Sequence, residues 1–230
     1  DIFTNLDISN MLFFHQNANS KATLFLKEVS DPSQFGVVEM KDDGYIEKFI
    51  EKPNPGETNS NWINGGVYIL EPDILTIAPT NEFYMFERGL FPTLLETQIP
   101  MYGYRNNPYW IDLGTPSNYL RVNHDILNSV DESMIVENRD ILNTEGYFAH
   151  PSAVIEGPVI VGRDCFIGAG SVIRGPTVIG SGVTIGEDNV ISGSVLWDGV
   201  KLGNQVILTE CILADDVTVD DKVRIGNLCM

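Results

Sequence analysis

The pattern of apolar and polar positions divides the chain into two parts with different periods. In residues 1–130, short β-rich runs alternate with runs whose apolar residues recur at helical spacing. From about residue 149, an aliphatic residue recurs every six positions instead. Because neither an α-helix nor an ordinary strand has a period of six, the two parts are predicted to differ in architecture.

The first part is predicted to be α/β with a partly parallel sheet. Asp7 is a suitable N-cap for one helix, and Thr115 followed by Pro116 marks the start of another. Alternation of strands and helices is typical of α/β domains. The predicted helices cover residues 7–19, 86–97 and 115–130, and the predicted strands cover 22–29, 35–40, 45–52, 63–70, 101–105 and 109–114.

The second part repeats with two interruptions of one residue each. Its aliphatic positions are Ile155, Val161, Ile167, Ile173, Ile179, Ile185 and Ile191, then Leu196, Leu202 and Leu208, then Leu213, Val219 and Ile225. A six-residue repeat predicts a triangular β-solenoid, in which each hexad forms one side of a coil and its aliphatic residue points inward. The pattern resembles the left-handed parallel β-helix of hexapeptide-repeat proteins. Residues 131–148 are polar and aperiodic, which predicts a linker before a β-helix over 149–230.

The charge of the chain limits its partners. Its 14 Lys and Arg residues against 32 Asp and Glu residues give a formal net charge of −18. This argues against nucleic acid and against anionic membranes as partners, while a divalent cation can still bridge carboxylates to a phosphorylated substrate. The three cysteines, Cys165, Cys211 and Cys229, lack the spacing of a zinc site or a disulfide framework, which favours a reducing, cytoplasmic location.

Two residues at the end of one predicted strand are suited to a ligand. Glu51 and Lys52 precede a Pro- and Gly-rich loop. They are either a solvated charge pair or a ligand site at the carboxyl end of a strand, where open α/β folds bind ligands. In the second interpretation, Glu51 accepts hydrogen bonds from sugar hydroxyls and Lys52 meets a phosphate.

Glycines in two other strands allow the backbone to approach a ligand closely. Gly65 and Gly66 interrupt a strand, which indicates either a β-bulge with a structural Asn64 or a ligand beside the Asn64 amide. Gly36, at the start of another strand, is a weaker signal of the same kind.

Asp112 places a carboxylate in an otherwise apolar strand, which is costly without a partner. It either accepts hydrogen bonds from the first amides of the helix after Thr115 or ligates a hard cation such as Mg²⁺. These residues alone leave both interpretations open, and they assign no role to Asp1.

Five segments occur in an order that is typical of one enzyme family. They read D-I-x-T-N-L-D, F-G-V-V-E followed by F-I-E-K-P, I-N-G-G-V-Y-I-L, F-P-T-L-L-E and Y-W-I-D-L-G-T-P-x-N-Y-L. The ordered set resembles the sugar-1-phosphate nucleotidyltransferases, most closely the mannose-1-phosphate guanylyltransferases with a C-terminal hexapeptide-repeat domain. The resemblance covers essentially the whole chain. It implies the C-terminal, sugar-binding portion of a Rossmann-like nucleotidyltransferase domain over residues 1–130, followed by a left-handed β-helix.

The resemblance also implies a reaction and a set of roles. Members transfer a nucleotidyl group from a nucleoside triphosphate to a sugar 1-phosphate and release pyrophosphate, and GTP and mannose 1-phosphate are the substrates expected here. The implied roles are magnesium ligation by Asp1 and Asp112, catalysis by these two and Lys52, binding of sugar hydroxyls by Glu51, binding near the sugar phosphate by Lys52, and sugar contacts by Asn64, Gly65 and Gly36.

One family feature has no counterpart in the 230 residues. The glycine-rich signature G-G-x-G-x-R-L-x-P, with a following K-P, binds the nucleoside triphosphate in the family. Its glycines cradle phosphates, and its Arg and Lys neutralise them. A chain that starts on the expected metal ligand Asp1 without this signature is therefore expected to be truncated and inactive alone.

Three further functions stay open. They are a glucose-1-phosphate nucleotidyltransferase, a non-catalytic regulatory subunit and a hexapeptide acyltransferase. Retention of the implied site residues argues against a subunit that has lost its site. Acyltransferases of the repeat class typically use a His base near a coil, whereas His15, His124 and His150 lie outside the regular coils. The faces of the solenoid are expected to form a homo-oligomer.

Overall fold

The protein is described here by a computed structural model, which defines residues 1–128, 146–227 and 229. The chain forms two compact units, Ile2–Trp110 and Ile111–Met230 together with Asp1. Most of the predicted linker over 131–148, and the predicted last residues of the helix over 115–130, lie outside the described residues. The division of domains at residues 130 and 148 stays a prediction.

The unit Ile2–Trp110 is built on a mixed five-stranded sheet. The strands of this unit are β1 (Ile2–Thr4), which lies outside the five-stranded sheet, and β2 (Ala22–Glu28), β3 (Gly36–Met40), β4 (Ile46–Glu51), β5 (Trp62–Leu70) and β6 (Met101–Arg105), which form it. Its α-helices are α1 (Ile8–Asn17) and α2 (Phe91–Glu96). The sheet has the order β4-β3-β5-β2-β6. Only β2 and β6 are parallel among these pairs, all of which lie in the described chain. The five predicted strands of this sheet are confirmed, each end to within one residue.

β2 is buried on both faces of the sheet. Leu24 and Leu26 point to one face and share a hydrophobic core with Leu94 of α2. Phe25 points to the other face and shares a second core with Met11 of α1. Because successive side chains of a strand alternate between faces, a continuous apolar run requires cover on both sides, which the two helices supply.

The helix predicted over 86–97 is divided in two. Phe86–Leu90 is a π-helical turn, and α2 begins at Phe91 with Pro92 in its first turn. Proline has no N–H to donate to the preceding turn, so regular α-helical bonding restarts there. A 3₁₀ helix over Pro72–Ile77, which the sequence patterns did not predict, follows β5.

The other unit consists of the short strand end Ile111–Asp112, one helix and a parallel β-solenoid. The elements are β7 (Trp110–Asp112), α3 (Pro116–Leu127), β8 (Phe148–Ala149), β9 (Val154–Glu156), β10 (Val159–Val161), β11 (Phe166–Ile167), β12 (Val172–Arg174), β13 (Thr177–Ile179), β14 (Thr184–Ile185), β15 (Val190–Ser192), β16 (Val195–Leu196), β17 (Lys201–Leu202), β18 (Ile207–Thr209), β19 (Ile212–Leu213), β20 (Thr218–Val219) and β21 (Arg224–Gly226). Thr115 caps α3 as predicted, accepting a hydrogen bond from the Asn118 N–H at 3.2 Å.

Three parallel sheets form the sides of the solenoid. Their strand orders are β10-β13-β16-β19, β20-β17-β14-β11-β8 and β21-β18-β15-β12-β9. The predicted aliphatic positions line the interior, and all of them are buried except Ile155 and Ile225 in the first and last coils. The six-residue period therefore predicted both the architecture and its core.

The two interruptions of the repeat fall at the same corner of successive coils. Val172 pairs with Val190, eighteen residues later, whereas Val190 pairs with Ile207, seventeen residues later. The repeat is one residue shorter between Ser192 and Val195 than at the same corner of the preceding coil. The next coil is shortened at the same corner. Each interruption shortens one corner and leaves the stacked sheets in register.

The inward and outward positions of one solenoid strand should differ in their effect on stability. Ile173 is fully buried in the core, and its neighbour Val172 is half-buried on the outer side of the same strand. We expect Ile173→Ala to lower the free energy of unfolding by about 3 kcal/mol, and Val172→Ala by less than about 1 kcal/mol. Urea unfolding followed by circular dichroism measures both, and equal losses would contradict the assigned faces.

Candidate functional site

β3 begins and β4 ends at the same end of the sheet, because the two strands are antiparallel. Gly36 pairs with Glu51 across them. A Cβ atom on Gly36 would lie 2.6 Å from Cζ of Phe49 and 2.9 Å from Oε2 of Glu51. The half-buried Glu51 carboxylate thus lies against the Gly36 backbone, and this packing leaves no room for a larger residue.

β5 brings Asn64 to the same end of the sheet. Val37 pairs with Ile63, so Gly36 and Asn64 come next to each other in the antiparallel register. The Asn64 side chain accepts a hydrogen bond from the Gly66 N–H at 3.1 Å and donates one to the Tyr68 hydroxyl at 2.7 Å. These two bonds fix the direction of the amide and leave one of its N–H groups and one oxygen lone pair for a ligand.

Tyr68 extends this network to Glu87. Its hydroxyl donates to Oε1 of Glu87 at 3.0 Å. Burial raises the pKa of Tyr68 well above its usual range, and the charges of Glu87 and Glu51 act in the same direction against the opposing hydrogen bond from Asn64. The phenol is therefore neutral at physiological pH and keeps its role as donor to Glu87.

Lys52 follows β4 in a left-handed conformation, with φ of +51°. Its N–H donates to the carbonyl oxygen of Phe35 at 3.0 Å, and its side chain is exposed. Such a conformation is uncommon for a residue with a side chain. It turns the chain away from the sheet and leaves the ammonium group in solvent, next along the chain to Glu51.

Gly65 lies in an irregular part of the β2–β5 pairing. Leu24 pairs with Tyr68 but Leu26 pairs with Asn64, so extra residues of β5 face Phe25. A Cβ atom on Gly65 would lie 2.4 Å from Cδ1 of Phe25, and its carbonyl oxygen accepts a hydrogen bond from Trp110 Nε1 at 3.0 Å. The bulge that the paired glycines indicated is confirmed.

Asp1 and Asp112 lie close together in the other unit. The Leu113 N–H donates to the carbonyl oxygen of Asp1 at 2.8 Å. The Gly114 N–H donates to Oδ1 of Asp112 at 2.8 Å, and Asn118 Nδ2 donates to the Asp112 carbonyl oxygen at 2.7 Å. The Asp112 carboxylate therefore stabilises the turn before α3 and does not cap the helix, which is done by Thr115.

The structure groups the predicted residues in two places. Gly36, Glu51, Lys52, Asn64 and Gly65 lie in the unit Ile2–Trp110, where their strands end or bulge at one region of the sheet. Asp1 and Asp112 lie in the unit that also holds α3 and the solenoid. The assignment of substrate, metal and catalytic roles to these seven residues stays a prediction.

Sequence reasoning missed Tyr68, Glu87 and Trp110. Tyr68 lies four residues after Asn64 in one strand, and their equal parity was a signal that they share a face. Glu87 had no such signal, because its position depends on the π-helical turn. Trp110 reaches Gly65 across more than forty residues of sequence, which no local pattern could indicate.

Other candidate groups in the described chain are occupied by structural contacts. His15 is buried and its ring nitrogens lie 2.8 Å from Thr23 Oγ1 and 3.3 Å from Glu71 Oε1. His150 lies 2.9 Å from Ser152 Oγ, and His124 lies 2.9 Å from the Gly193 carbonyl oxygen. Within residues 1–128, 146–227 and 229, no group of three or more His, Cys, Asp or Glu side chains could hold a metal ion. None of the helices described is long and apolar enough to span a bilayer.

Comparison with known families gives two matches. Residues 1–129 match a sequence model of the nucleotidyl transferase family. Residues 132–230 match a model of the LbH (left-handed β-helix) domain of EIF2B subunit epsilon. The two matches agree with an α/β part followed by a parallel β-solenoid.

Several relatives are sugar-1-phosphate nucleotidyltransferases by name. A mannose-1-phosphate guanylyltransferase of Mycobacterium tuberculosis is 29% identical over 88% of this chain and 52% of its own length. The mannose-1-phosphate guanylyltransferase catalytic subunit beta of Drosophila pseudoobscura is 34% identical over 52% of this chain and 31% of its own length. A UTP–glucose-1-phosphate uridylyltransferase of Synechocystis is 28% identical over 100% of this chain and 58% of its own length. The chain thus spans 31% to 58% of the length of these three relatives.

The Asn64–Tyr68–Glu87 network should contribute to stability in a pH-dependent way. Tyr68→Phe should lower the free energy of unfolding by about 1–2 kcal/mol near neutral pH, because two hydrogen bonds are lost. Since the pKa of Tyr68 is raised in the folded state, its contribution is full below the unfolded pKa of about 10 and is lost as pH rises further. The difference between wild type and Tyr68→Phe in urea unfolding should therefore shrink above about pH 10. A difference that stays constant over this range would contradict the network.

Proposed function

Because the chain belongs to the nucleotidyl transferase family, we propose that it acts in transfer of a nucleotidyl group from GTP to mannose 1-phosphate, giving GDP-mannose and pyrophosphate with Mg²⁺. An oxygen of the sugar phosphate attacks the α-phosphorus of the nucleotide, and pyrophosphate leaves, so the protein supplies positioning and charge rather than a nucleophile. The observation that carries this proposal is the group formed by Gly36, Glu51 and Asn64 at the ends of three adjacent strands.

In the proposed site, Glu51 and Asn64 recognise the sugar. The Glu51 carboxylate is a hydrogen-bond acceptor for hydroxyl groups, and the fixed Asn64 amide offers both a donor and an acceptor. Gly36 is proposed to contact the sugar through its backbone, beside the Glu51 carboxylate that the missing side chain accommodates. A neutral Tyr68 keeps the Asn64 amide in place, so the sugar meets a site that is already ordered.

Lys52 is proposed to meet the phosphate of the sugar. Its exposed ammonium group follows Glu51 directly, so one ligand with hydroxyls and a phosphate can contact both residues. The chain has a formal net charge of −18, which makes a local cation more important for a dianionic ligand. Lys52 holds the phosphate while Glu51 and Asn64 hold the ring.

Asp1 and Asp112 are proposed to hold the magnesium ion. Two carboxylates on adjacent backbone segments fit this ion, which prefers one or two carboxylates completed by phosphate oxygens and water. The Gly114 N–H donates to Oδ1 and so orients the Asp112 carboxylate. Its second oxygen, Oδ2, is the proposed ligand of the ion. When bound, the ion supplies positive charge that neutralises phosphate oxygens.

The identity of the sugar is proposed from the relatives. The guanylyltransferases among them are named for mannose 1-phosphate, whereas the Synechocystis relative is named for glucose 1-phosphate. The second sugar is therefore the second candidate. Both sugars carry the hydroxyls and the phosphate that Glu51, Asn64 and Lys52 can bind, so binding measurements have to separate them.

A regulatory subunit and an acyltransferase are less well supported functions. A regulatory subunit that has lost catalysis would not need the glycine that makes room for Glu51 or the ordered amide of Asn64. An acyltransferase would typically need a histidine on a regular coil. Contrary to the expectation from the sequence, His150 lies in the first coil, where its N–H donates to the Ile167 carbonyl oxygen. Its ring is held in a structural contact, with Nδ1 2.9 Å from Ser152 Oγ.

The proposal includes a cytoplasmic protein that associates through its solenoid. Cys165 and Cys211 are buried free thiols, which suits a reducing compartment. Phe148 and Phe166 stack at 5.3 Å on an outer face and are 53% and 46% exposed, which favours contact with a second copy.

Light scattering at micromolar concentration should give a dimer or larger assembly, and a monomer would contradict this association.

Binding of mannose 1-phosphate to the 230-residue chain tests the proposed function. With Mg²⁺ present, calorimetry should detect binding that Glu51→Gln weakens at least about tenfold, because a charged acceptor is lost. Glu47→Gln is the matched control. Glu47 lies on the same strand, is exposed and pairs with Lys41 at 3.7 Å, so its change should leave the affinity unaltered.

Three outcomes of this titration would contradict parts of the proposal. Absence of binding would contradict the sugar-phosphate site itself. Equal effects of Glu51→Gln and Glu47→Gln would contradict the assigned location. Tighter binding of glucose 1-phosphate than of mannose 1-phosphate would favour the second candidate sugar.

A further inference from the structure

One helix of the described chain contacts both the Asp112 turn and the solenoid. In the N-terminal turn of α3, Asn118 Nδ2 donates to the Asp112 carbonyl oxygen at 2.7 Å. Thr115 accepts from the Asn118 N–H at 3.2 Å, which fixes the first turn of the helix relative to that side chain. The position of the Asp112 main chain therefore depends on the position of α3.

Farther along, α3 packs on one side of the solenoid. The rings of Tyr119 and Trp197 meet edge to face with centroids 6.2 Å apart. One turn later, Nε2 of His124 lies 2.9 Å from the carbonyl oxygen of Gly193. Val122, between them on the helix, is buried. Two directional contacts on successive turns fix both the rotation and the translation of the helix against the coils.

The Gly193 carbonyl group, whose oxygen accepts the hydrogen bond from His124, belongs to the first shortened corner of the repeat. Gly193 has φ of +57°, a conformation that favours glycine. A Cβ atom there would lie 3.4 Å from Cγ of Glu210 and 3.6 Å from Cε1 of His124. The corner is therefore shaped by the interruption that the sequence pattern revealed, and the imidazole occupies the space next to it.

We propose that His124 is a positioning residue for Asp112: by donating to the Gly193 carbonyl it seats α3 on the solenoid, and α3 in turn holds the Asp112 turn through Asn118. The inference rests on the proposed function, because Asp112 is a metal ligand only under that proposal. It assigns the solenoid a role in ordering the turn that carries the proposed metal ligand Asp112. His124 acts through the helix and does not itself touch a substrate.

The test compares four variants in the whole 230-residue chain. His124→Leu keeps the bulk of the side chain but removes the donor, whereas His124→Gln keeps an N–H in a similar place. His150→Leu is the matched control, because the His150 ring is hydrogen-bonded to Ser152 and His150 lies off α3. Asp112→Asn shows the loss that follows when the proposed ligand itself is changed.

The first readout needs no ligand. The amide proton of Gly114 reports its hydrogen bond to the Asp112 carboxylate. In two-dimensional NMR spectra of the free protein, this resonance should shift in His124→Leu, return to its wild-type position in His124→Gln and stay in place in His150→Leu. An unchanged Gly114 resonance in His124→Leu would overturn the proposed coupling.

The second readout is the affinity for Mn²⁺, an ion visible by electron paramagnetic resonance, in the presence of mannose 1-phosphate. His124→Leu should weaken Mn²⁺ binding by about tenfold, the low end of the range for residues that support metal ligands, and by less than Asp112→Asn, because His124 acts only through α3. His124→Gln should restore it. Lower thermal stability in His124→Leu with unaltered Mn²⁺ affinity would overturn the proposal and leave a purely structural contact.

The two readouts separate this inference from the proposed function. If wild-type protein binds no Mn²⁺ with mannose 1-phosphate while the Gly114 resonance responds to His124→Leu, the coupling stands and the metal role of Asp112 fails. If wild type binds the ion and neither readout responds, the coupling fails and the proposed function stands.

Discussion

The pairing of Val37 with Ile63 is the contact on which the candidate sugar site depends. It is the residue pair that sets β3 against β5 in the described chain, and both side chains are fully buried. On one side of it lies the β3–β4 hairpin with Gly36 and Glu51. A slip of one residue would turn every side chain of the hairpin to the opposite face and separate Glu51 from Asn64. Burial of Val37 and Ile63 is thus what selects the register of the site.

Two glycines in the site have different physical reasons. At Gly36 the missing side chain leaves space that Phe49 and the Glu51 carboxylate fill. At Gly65 the space is filled by Phe25, and the carbonyl oxygen is bound to the Trp110 indole. The first glycine accommodates a half-buried carboxylate where β3 begins and β4 ends, whereas the second lets a bulged strand pack on its neighbour. The same residue type therefore makes room for a carboxylate in one strand and for an aromatic ring in the other.

Much of the fold could be predicted because it depends on local periodicity. The strands of the mixed sheet follow from runs of β-branched and apolar residues, and the solenoid core follows from thirteen aliphatic positions at a period of six. The network from Asn64 through Tyr68 to Glu87 could not be predicted in the same way. It depends on the π-helical turn that begins at Phe86, which forms just before Pro92 and which no periodic pattern indicates.

The interruptions of the repeat illustrate the same limit. Their positions could be read from the spacing of Ile191 and Leu196, but their consequence could not. Only the structure places His124 against the shortened corner at Gly193 and so joins the solenoid to the turn that carries Asp112. A pattern identifies where a coil loses a residue, whereas the packing partner of that corner comes from a distant part of the sequence.

The central claim is that a sugar 1-phosphate binds where β3, β4 and β5 meet. Amide chemical shifts in a titration of the ¹⁵N-labelled chain with mannose 1-phosphate and Mg²⁺ test it most directly, because each backbone N–H reports its own surroundings. We expect the largest changes on Gly36, Lys52 and Gly65, with little change in the solenoid coils around Ile173. Changes confined to the solenoid, or no changes at all, would contradict it.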